Sequence, residues 1–342
     1  MKLNAHNIQE IIQKEYGFSI TNIEKINIGL DVNTMVFKVS SIDQKQYFLK
    51  IRSKSFSESS INIPFWLSRK AGLTNIIDPI ETIDKKLFVK RSSSYIMMYP
   101  YINGKSGWDV TLTKDQFVEF GKFLYKLHSV KLPNDYLKII PVDKYNRGYI
   151  EMIKKYLKKY KRTSYNDSII MDFITALELN QSTINEIIYY LESTVNEISC
   201  ENMCLCHGDI HAGNLLFGES DLYIVDWDTL VLASKEKDLM YIGGGIGNKW
   251  NTNDDIEYFY KGYGQEIEID RNLIKYYQCK RIIQDIYYFV KEINDFKYSN
   301  ERRKICLEIF KSQFEPNNVV EIALRDIAVY IKGINDKSAV YG

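Results

Sequence analysis

Residues 206–216 read CHGDIHAGNLL, and residues 223–228 read YIVDWD. The first stretch contains Asp209 and Asn214, and the second contains Asp226. Phosphoryl transfer from ATP requires groups that hold metal ions against the phosphates and an acceptor that orients the attacking hydroxyl. Two acids and an amide, brought together by one loop and the next hairpin, supply such groups. The pattern predicts that Asp209 accepts or orients the hydroxyl proton, Asn214 binds one Mg²⁺ and Asp226 bridges the metal ions.

The regions before and after these stretches differ in their periodicity. A β-rich region comes first: an opening helix ended by Gly17, strands over 19–28, 34–39 and 46–51 in an antiparallel meander, a helix over 62–71, and strands near 87–90 and 95–99. Helical spacing then predicts helices over 117–127, 145–160, 169–198, 270–295, 302–310 and 319–331, with a β interval at 203–225. The order predicts an α+β fold with a small antiparallel β-rich lobe followed by a larger, mainly helical lobe. Pro100 and Gly104 interrupt the pattern, so we place an ATP-binding lobe at 1–100 and a catalytic and substrate-binding lobe at 101–342.

Composition limits the classes of function. The 342 residues are 45% hydrophobic and 26% charged, as expected of a folded soluble protein, and the net charge of +1 gives no reason to expect a nucleic acid partner. We find neither a signal peptide nor an apolar run long enough to span a membrane. The five cysteines suit a reducing compartment, so a cytoplasmic location is expected. Composition does not distinguish a monomer from a dimer.

A family resemblance adds to this interpretation. Residues 207–214, together with Asp226, resemble the catalytic loop and metal-binding Asp of the aminoglycoside phosphotransferase and choline kinase superfamily, with Gly208 where protein kinases usually carry Arg. Further segments are similar to the spectinomycin phosphotransferases of that superfamily: 209–214, 224–228, 235–240, 242–248 and 316–322. The resemblance implies a bilobal protein-kinase-like fold and ATP- and Mg²⁺-dependent transfer of phosphate to a hydroxyl of an aminocyclitol or aminoglycoside antibiotic.

The small lobe is expected to bind ATP. Lys50, on the third strand, is the candidate for the α- and β-phosphates, because a strand holds its charge in a fixed place. Its usual partner is a helix Glu, and Glu58 is the only Glu between Lys50 and Glu81. Pro64 favours a helix that begins at Asn62, which would leave Glu58 in a preceding turn, so this pairing stays open.

Two other segments are candidates for nucleotide contacts. The turn at 28–34 has one Gly and matches no phosphate-loop motif, but its backbone amides, with the side chains of Asn33 or Thr34, can cover phosphates. Residues 95–101 offer an apolar strand end with free backbone groups, so Met98, Tyr99 and Tyr101 are the candidates for adenine. The competing interpretation of the turn is an ordinary hairpin, and that of the strand end is a set of ordinary core residues.

The phosphate acceptor is expected to be a small cationic molecule, held by carboxylates and aromatic faces. Candidate residues are Asp228, near the metal site, and Trp250 and Asp285, which the resemblance singles out. A metabolic kinase for choline, a sugar amine or homoserine is a second hypothesis. A nucleotide-binding regulator without catalysis is a third, which the presence of Asp209, Asn214 and Asp226 makes less favourable.

Two motifs are assigned no chemistry. Cys204, Cys206, His207 and His211 lack the paired spacing of a structural zinc site, so we predict buried free thiols instead. The glycine-rich residues 243–249 follow a predicted helix and match neither a Walker A nor a dinucleotide motif.

Overall fold

A computed structural model of the chain describes residues 5–26, 33–53, 56–145, 148–160, 166–195, 198, 202–219 and 221–325. The chain divides into two compact units, the first made of residues 1–141 and 207–232 and the second of residues 142–206 and 233–342. The first unit therefore contains both the β-rich region and the stretch that carries Asp209, Asn214 and Asp226. The lobe boundary between residues 100 and 101 stays a prediction.

In chain order the helices and strands are α1 (Ala5–Tyr16), β1 (Ile20–Ile26), β2 (Thr34–Ser41), β3 (Gln46–Ser53), α2 (Ser59–Lys70), β4 (Val89–Arg91), β5 (Ser94–Pro100), β6 (Lys105–Ser106), α3 (Lys114–Ser129), α4 (Asn134–Leu137), α5 (Gly148–Tyr160), α6 (Ser168–Leu179), α7 (Gln181–Thr194), β7 (Cys204–Cys206), β8 (Leu215–Phe217), β9 (Leu222–Ile224), β10 (Val231–Ala233), α8 (Glu236–Leu239), α9 (Asn253–Tyr263), α10 (Arg271–Ile293) and α11 (Asn300–Ser312). Short 3₁₀ turns cover Ala212–Asn214, Trp227–Thr229 and Ile246–Asn248, and residues 319–325 are helical. The end of the helix predicted over 319–331 lies outside the described residues. The succession of an antiparallel sheet and a helical region confirms the predicted α+β fold.

The first unit is built on a five-stranded sheet in the order β1-β2-β3-β5-β4. Each neighbouring pair is antiparallel, which confirms the predicted meander. The apolar face of α1 packs on one side of this sheet, against a core that includes Leu49 and Ile51 of β3. Because side chains alternate along a strand, Lys50 and Arg52 project from the opposite face.

Helix α2 begins earlier than predicted. It starts at Ser59 rather than Asn62, so Pro64 lies inside it. The first turn closes because the backbone amides of Ile61 and Asn62 both donate to the carbonyl of Glu58, at 3.3 and 3.0 Å. Glu58 is therefore the residue that immediately precedes the helix.

In the second unit, the single helix predicted over 169–198 is wrong. Two helices, α6 and α7, meet at Asn180, whose backbone leaves the helical range at φ −102° and ψ 9°. The side-chain amide of Asn180 donates to the carbonyl of Ala176 at 2.8 Å, a local bond that competes with helix continuation. The apolar spacing continues through this break, so periodicity alone did not reveal it.

A buried ion cluster lies in the second unit. The carboxylate of Asp143 accepts from Lys237 at 3.3 Å and from Lys280 at 2.9 Å, and all three side chains are less than a fifth exposed. Burial raises the pKa of Asp143, but the two ammonium groups more than offset this and hold it below its usual value. The cluster is therefore a charged structural contact of this unit.

Other features of the unit are simpler. Cys206 is a buried free thiol, as predicted, and donates to the carbonyls of Ala233 and Ser234. Cys204 is also a free thiol but is only half-buried, so the prediction of burial is wrong for it. Among the residues that the structure describes, no helix combines the length and the apolar composition needed to cross a bilayer.

Candidate active site

His207 holds the loop that carries Asp209. Its ring is fully buried, lies 4.7 Å from the ring of Trp227, and is 3.0 Å through Nε2 from the carbonyl of Val225. Its Nδ1 accepts from the backbone amide of Asp209 at 3.4 Å, so Nε2 carries the hydrogen and donates to Val225. His207 therefore joins the loop to the hairpin that precedes Asp226.

Gly208 is required at its position by both backbone conformation and space. Its φ is +84°, and a Cβ there would lie 2.4 Å from the carbonyl oxygen of Thr229. Thr229 is itself fixed, because its hydroxyl donates to the carbonyl of His207 at 3.0 Å. No larger side chain fits beside Asp209 without moving this segment.

Asn214 lies beside Asp209 and is locked in orientation. Its side-chain Nδ2 donates to the backbone carbonyl of Asp209 at 2.7 Å, and its own carbonyl accepts from Val225 at 3.0 Å. Because the first contact requires a donor, the amide oxygen of Asn214 is left for another partner. The Asp209 carboxylate is a quarter exposed, so it is accessible from solvent.

Asp226 stands in the left-handed backbone region, at φ 62° and ψ 65°. Residues other than Gly seldom adopt this conformation, and it recurs at functional sites. Half of the Asp226 side chain is exposed, and its Oδ1 accepts from Nζ of Lys50 at 2.9 Å. The carboxylate is therefore both open to solvent and in contact with the Lys50 ammonium.

Lys50 and Arg52 share one acid, Asp228. Nζ of Lys50 also lies 2.8 Å from Oδ2 of Asp228, which in turn accepts from Nη1 of Arg52. Two cations of β3 thus face two carboxylates of the turn after β9, and the four formal charges balance. A substrate ammonium that bound Asp228 would compete with both cations.

The donor set suits a hard divalent cation. Mg²⁺ prefers carboxylate and amide oxygens, which Asp226 and Asn214 supply. The two residues are tied together, since the amide of Val225, just before Asp226, donates to the carbonyl of Asn214. The residues present therefore fit Mg²⁺.

Glu58, the predicted partner of Lys50, lies just before α2. Glu58 is exposed at the residue before α2, and the two carboxylates that contact Lys50 are Asp226 and Asp228. A pairing of Glu58 with Lys50 stays a prediction.

The turn predicted to cover phosphates, at 28–34, is described only in part, since residues 28–32 lie outside the described residues. The carbonyl of Asn33 accepts from the backbone amide of Ser53 at 2.8 Å, and Thr34 pairs with Arg52 across β2 and β3.

The segment predicted to meet adenine is partly engaged within the protein. The carbonyl of Met98 accepts from Ile80 at 2.7 Å, and the amide of Tyr101 donates to Gln46 at 3.1 Å. These two backbone groups are therefore not free, contrary to the expectation. Tyr99 pairs with Phe48 in the register of β3 and β5, and burial raises the pKa of its hydroxyl. Contacts of this segment with adenine stay a prediction.

Two of the three substrate candidates belong to the second unit. Trp250 is buried at φ 60°, and its carbonyl accepts from the amide of Gly243 at 2.9 Å. Asp285 accepts from Nε of Arg281 through both oxygens, at 2.9 and 3.0 Å. Asp228, the third candidate, belongs to the first unit. Their roles in substrate binding stay predictions.

Sequence reasoning did not identify two side chains that contact this site. Arg52 could have been found, because it stands two residues after Lys50 and alternation places both on one face. Trp108 stacks on His211 of the catalytic loop at 5.4 Å between ring centroids, and nothing in the pattern around it signals this contact.

Comparisons with known proteins identify the family of this chain. A sequence model of the APH phosphotransferase enzyme family matches residues 41–271. A crystal structure of spectinomycin phosphotransferase APH(9)-Ia in complex with ADP and spectinomycin is 32% identical, with 95% of this chain and 98% of that chain covered and a TM-score of 0.87. Amicoumacin kinase hAmiN, in complex with AMP-PNP, Ca²⁺ and Ami, is 13% identical over 91% of this chain and 93% of that chain, with a TM-score of 0.61.

An aminoglycoside phosphotransferase from Alicyclobacillus acidocaldarius is 12% identical over 92% of this chain and 95% of that chain, with a TM-score of 0.59. At identities of 13% and 12%, the comparisons with these last two proteins show a shared fold alone. The likeness to the first relative extends to sequence and confirms the kinase-like fold that the resemblance implied. The chain belongs to the APH phosphotransferase enzyme family, whose members are ATP-dependent kinases acting on hydroxyl groups.

Proposed function

We propose that this enzyme transfers the γ-phosphate of ATP to a hydroxyl of an aminocyclitol antibiotic, with spectinomycin as the first substrate to test. The observation that carries the proposal is the joining of Asp209, Asn214, Asp226 and Lys50 within one unit, through the Asn214 amide and the Lys50 ammonium. These are the groups that phosphoryl transfer requires. Similarity at 32% identity to an enzyme crystallised with ADP and spectinomycin supports the choice of nucleotide and acceptor.

Each residue has a distinct task in this proposal. The carboxylate of Asp209 accepts the proton of the attacking hydroxyl and orients its oxygen toward phosphorus. Asn214 and Asp226 hold Mg²⁺, which neutralises charge on the phosphate oxygens when it is bound. Lys50 places a positive charge at the α- and β-phosphates, and β3 keeps that charge in position. Arg52 contacts Asp228 and balances part of its charge. The Lys50 ammonium, which contacts both Asp226 and Asp228, therefore faces less negative charge than two unpaired carboxylates would give.

The proposed acceptor carries amino groups. Carboxylates and aromatic rings recognise such groups, and Trp250 and Asp285 are the side chains of the second unit that we propose for this role. Arg281 already contacts Asp285 through Nε. A cationic acceptor would therefore meet a carboxylate whose charge is partly balanced.

The decisive experiment measures ADP formation by the purified protein with Mg²⁺ and ATP, using spectinomycin, streptomycin, kanamycin, choline and homoserine as acceptors. We expect turnover with spectinomycin and a phosphorylated product by mass spectrometry. Turnover with choline or homoserine alone would favour a metabolic kinase. ATP binding without turnover of any acceptor would contradict the proposal and favour a regulator.

A growth test examines the biological role. A spectinomycin-sensitive bacterium that expresses the chain is expected to grow on spectinomycin plates, and the same strain expressing Asp209→Ala is not. If both strains were equally sensitive at equal protein levels, the enzyme would not confer spectinomycin resistance.

A further inference from the structure

His211 lies beside Asp209 in the catalytic loop and begins the 3₁₀ turn at Ala212–Asn214. Its Nδ1 accepts from the backbone amide of Gly213 at 3.0 Å, which caps this turn. An imidazole nitrogen that accepts a hydrogen bond carries no hydrogen, so the ring is neutral and its hydrogen is on Nε2. Nε2 lies 3.6 Å from Oδ2 of Asp209. The N–H therefore faces the carboxylate that we propose as the base.

The plane of this ring is fixed from two sides. Trp108 stacks on it, with 5.4 Å between centroids and an angle of 24° between planes. A Cβ on Gly213 would lie 2.3 Å from the indole nitrogen of Trp108 and 2.8 Å from Cε1 of His211, so only Gly leaves room for both rings.

The turn that carries Trp108 is itself attached to the loop. Strand β6 pairs with β8, and the amide of Gly107 donates to the carbonyl of Leu215 at 2.9 Å. A Cβ on Gly107 would lie 2.4 Å from the carbonyl oxygen of Ala212. The contact between the two segments is close over several residues, so the indole has a defined place above His211.

We propose that His211 is a positioning residue, whose neutral ring, capped at Nδ1 and held by Trp108, directs its Nε2–H to the Asp209 carboxylate. This proposal rests on the proposed role of Asp209. His207 already accepts from the backbone amide of Asp209, and Nε2 of His211 lies 3.6 Å from the Asp209 carboxylate, just beyond ordinary hydrogen-bond length. Hydrogen bonds that are long in an unliganded enzyme commonly shorten in the reactive complex.

The two nitrogens of His211 can be tested separately. Asn at this position keeps an acceptor near the place of Nδ1 and is a favourable residue at the start of a helical turn, but it has no donor at the place of Nε2. Ala removes both functions. The matched control is His6→Asn, because His6 is an exposed residue of α1 that contacts Glu10.

We expect His211→Asn to fold with an unchanged melting temperature and to lose about ten- to a hundredfold in kcat, the range for one hydrogen bond to a charged group. KM for ATP should stay the same, and His6→Asn should match the unaltered enzyme. In an Asp209→Asn background, His211→Asn should change kcat less than about twofold, because residues that act through one group are not additive. An equal loss in both backgrounds, or no loss in the single variant, would overturn the proposal.

A second measurement needs no turnover, and so separates this proposal from the function itself. The chain has four histidines, so ¹⁵N-histidine spectra are simple, and the His211 signals are those that His211→Asn removes. We expect His211 to be neutral with hydrogen on Nε2 at pH 7.5. Hydrogen on Nδ1 overturns the proposal whatever the enzyme phosphorylates, whereas hydrogen on Nε2 in a protein without kinase activity would contradict only the proposed function.

Discussion

Replacing Gly208 with Ala tests whether the backbone of the catalytic loop needs a residue without a side chain. The substitution has two costs. An L-residue at φ +84° pays about 1–2 kcal/mol for the left-handed conformation. In addition, the new Cβ would lie 2.4 Å from the Thr229 carbonyl oxygen, whereas ordinary contact begins at 3.4 Å.

The second cost can be isolated with a matched variant. Gly72 has φ +72°, and a Cβ there meets no atom within 4 Å. Gly72→Ala therefore pays the conformational cost alone. Gly208→Ala must also move backbone, and overpacking of this kind costs about 1–3 kcal/mol more.

The assay compares melting temperatures and kcat of the two variants. A change of 1 kcal/mol in the free energy of unfolding shifts the melting temperature of a domain of about 150–250 residues by about 2–4 °C. We expect Gly72→Ala to lower it by a few degrees with kcat unchanged. Gly208→Ala should lower it about twice as far and reduce kcat at least about tenfold, because a 1 Å displacement of a catalytic group can cost a hundredfold. Equal melting temperatures and equal kcat for the two variants would refute the reasoning from the Thr229 contact.

Three further substitutions test charged groups. Asp209→Ala should lower kcat by about a hundredfold or more, as loss of a general base does, while ATP binding by calorimetry stays unchanged; full activity would exclude its role as the base. Asp226→Ala should abolish turnover at every Mg²⁺ concentration, and recovery at high Mg²⁺ would show that another residue holds the metal. Asp143→Asn should lower the melting temperature at pH 7, because it leaves Lys237 and Lys280 without their carboxylate. The folded pKa of Asp143 lies below its ordinary value of 3.8, so the stabilising contribution of its charge is complete above that value and is lost as the pH falls through the folded pKa. The difference in melting temperature between the two proteins should therefore shrink as the pH falls below 3.8, and a constant difference across pH would contradict this.

The sheet was predictable because its signal is local. Alternation along 34–39 and 46–51 marks one face of β2 and β3 as buried, and the structure buries Val39, Leu49 and Ile51 there. Gly17 ends α1 at φ +76°, a conformation that favours Gly. Such features depend on residues near one another in the chain, so a sequence shows them directly.

Helix limits were less predictable, because they depend on single side-chain bonds. Asn180 separates α6 from α7 although the apolar spacing continues. Helix α9 was missed, although Thr252 and Asp255 form a reciprocal capping box at its start. The usual signature has Glu or Gln in the second position, so the shorter Asp concealed it.

The partners of Lys50 show where prediction from sequence ends. Elimination among nearby acids offered Glu58 as a partner, a pairing that stays a prediction, but it could not reveal Asp226 and Asp228, which are 176 and 178 residues away. Alternation determines the face of β3 on which Lys50 and Arg52 stand, and that much is local. What they meet there depends on the left-handed turn at Asp226, a conformation that no neighbouring residue type announces. Because that turn presents two acids to the two cations, the pairing of β3 with the catalytic segment is a property of the folded unit rather than of either stretch of sequence.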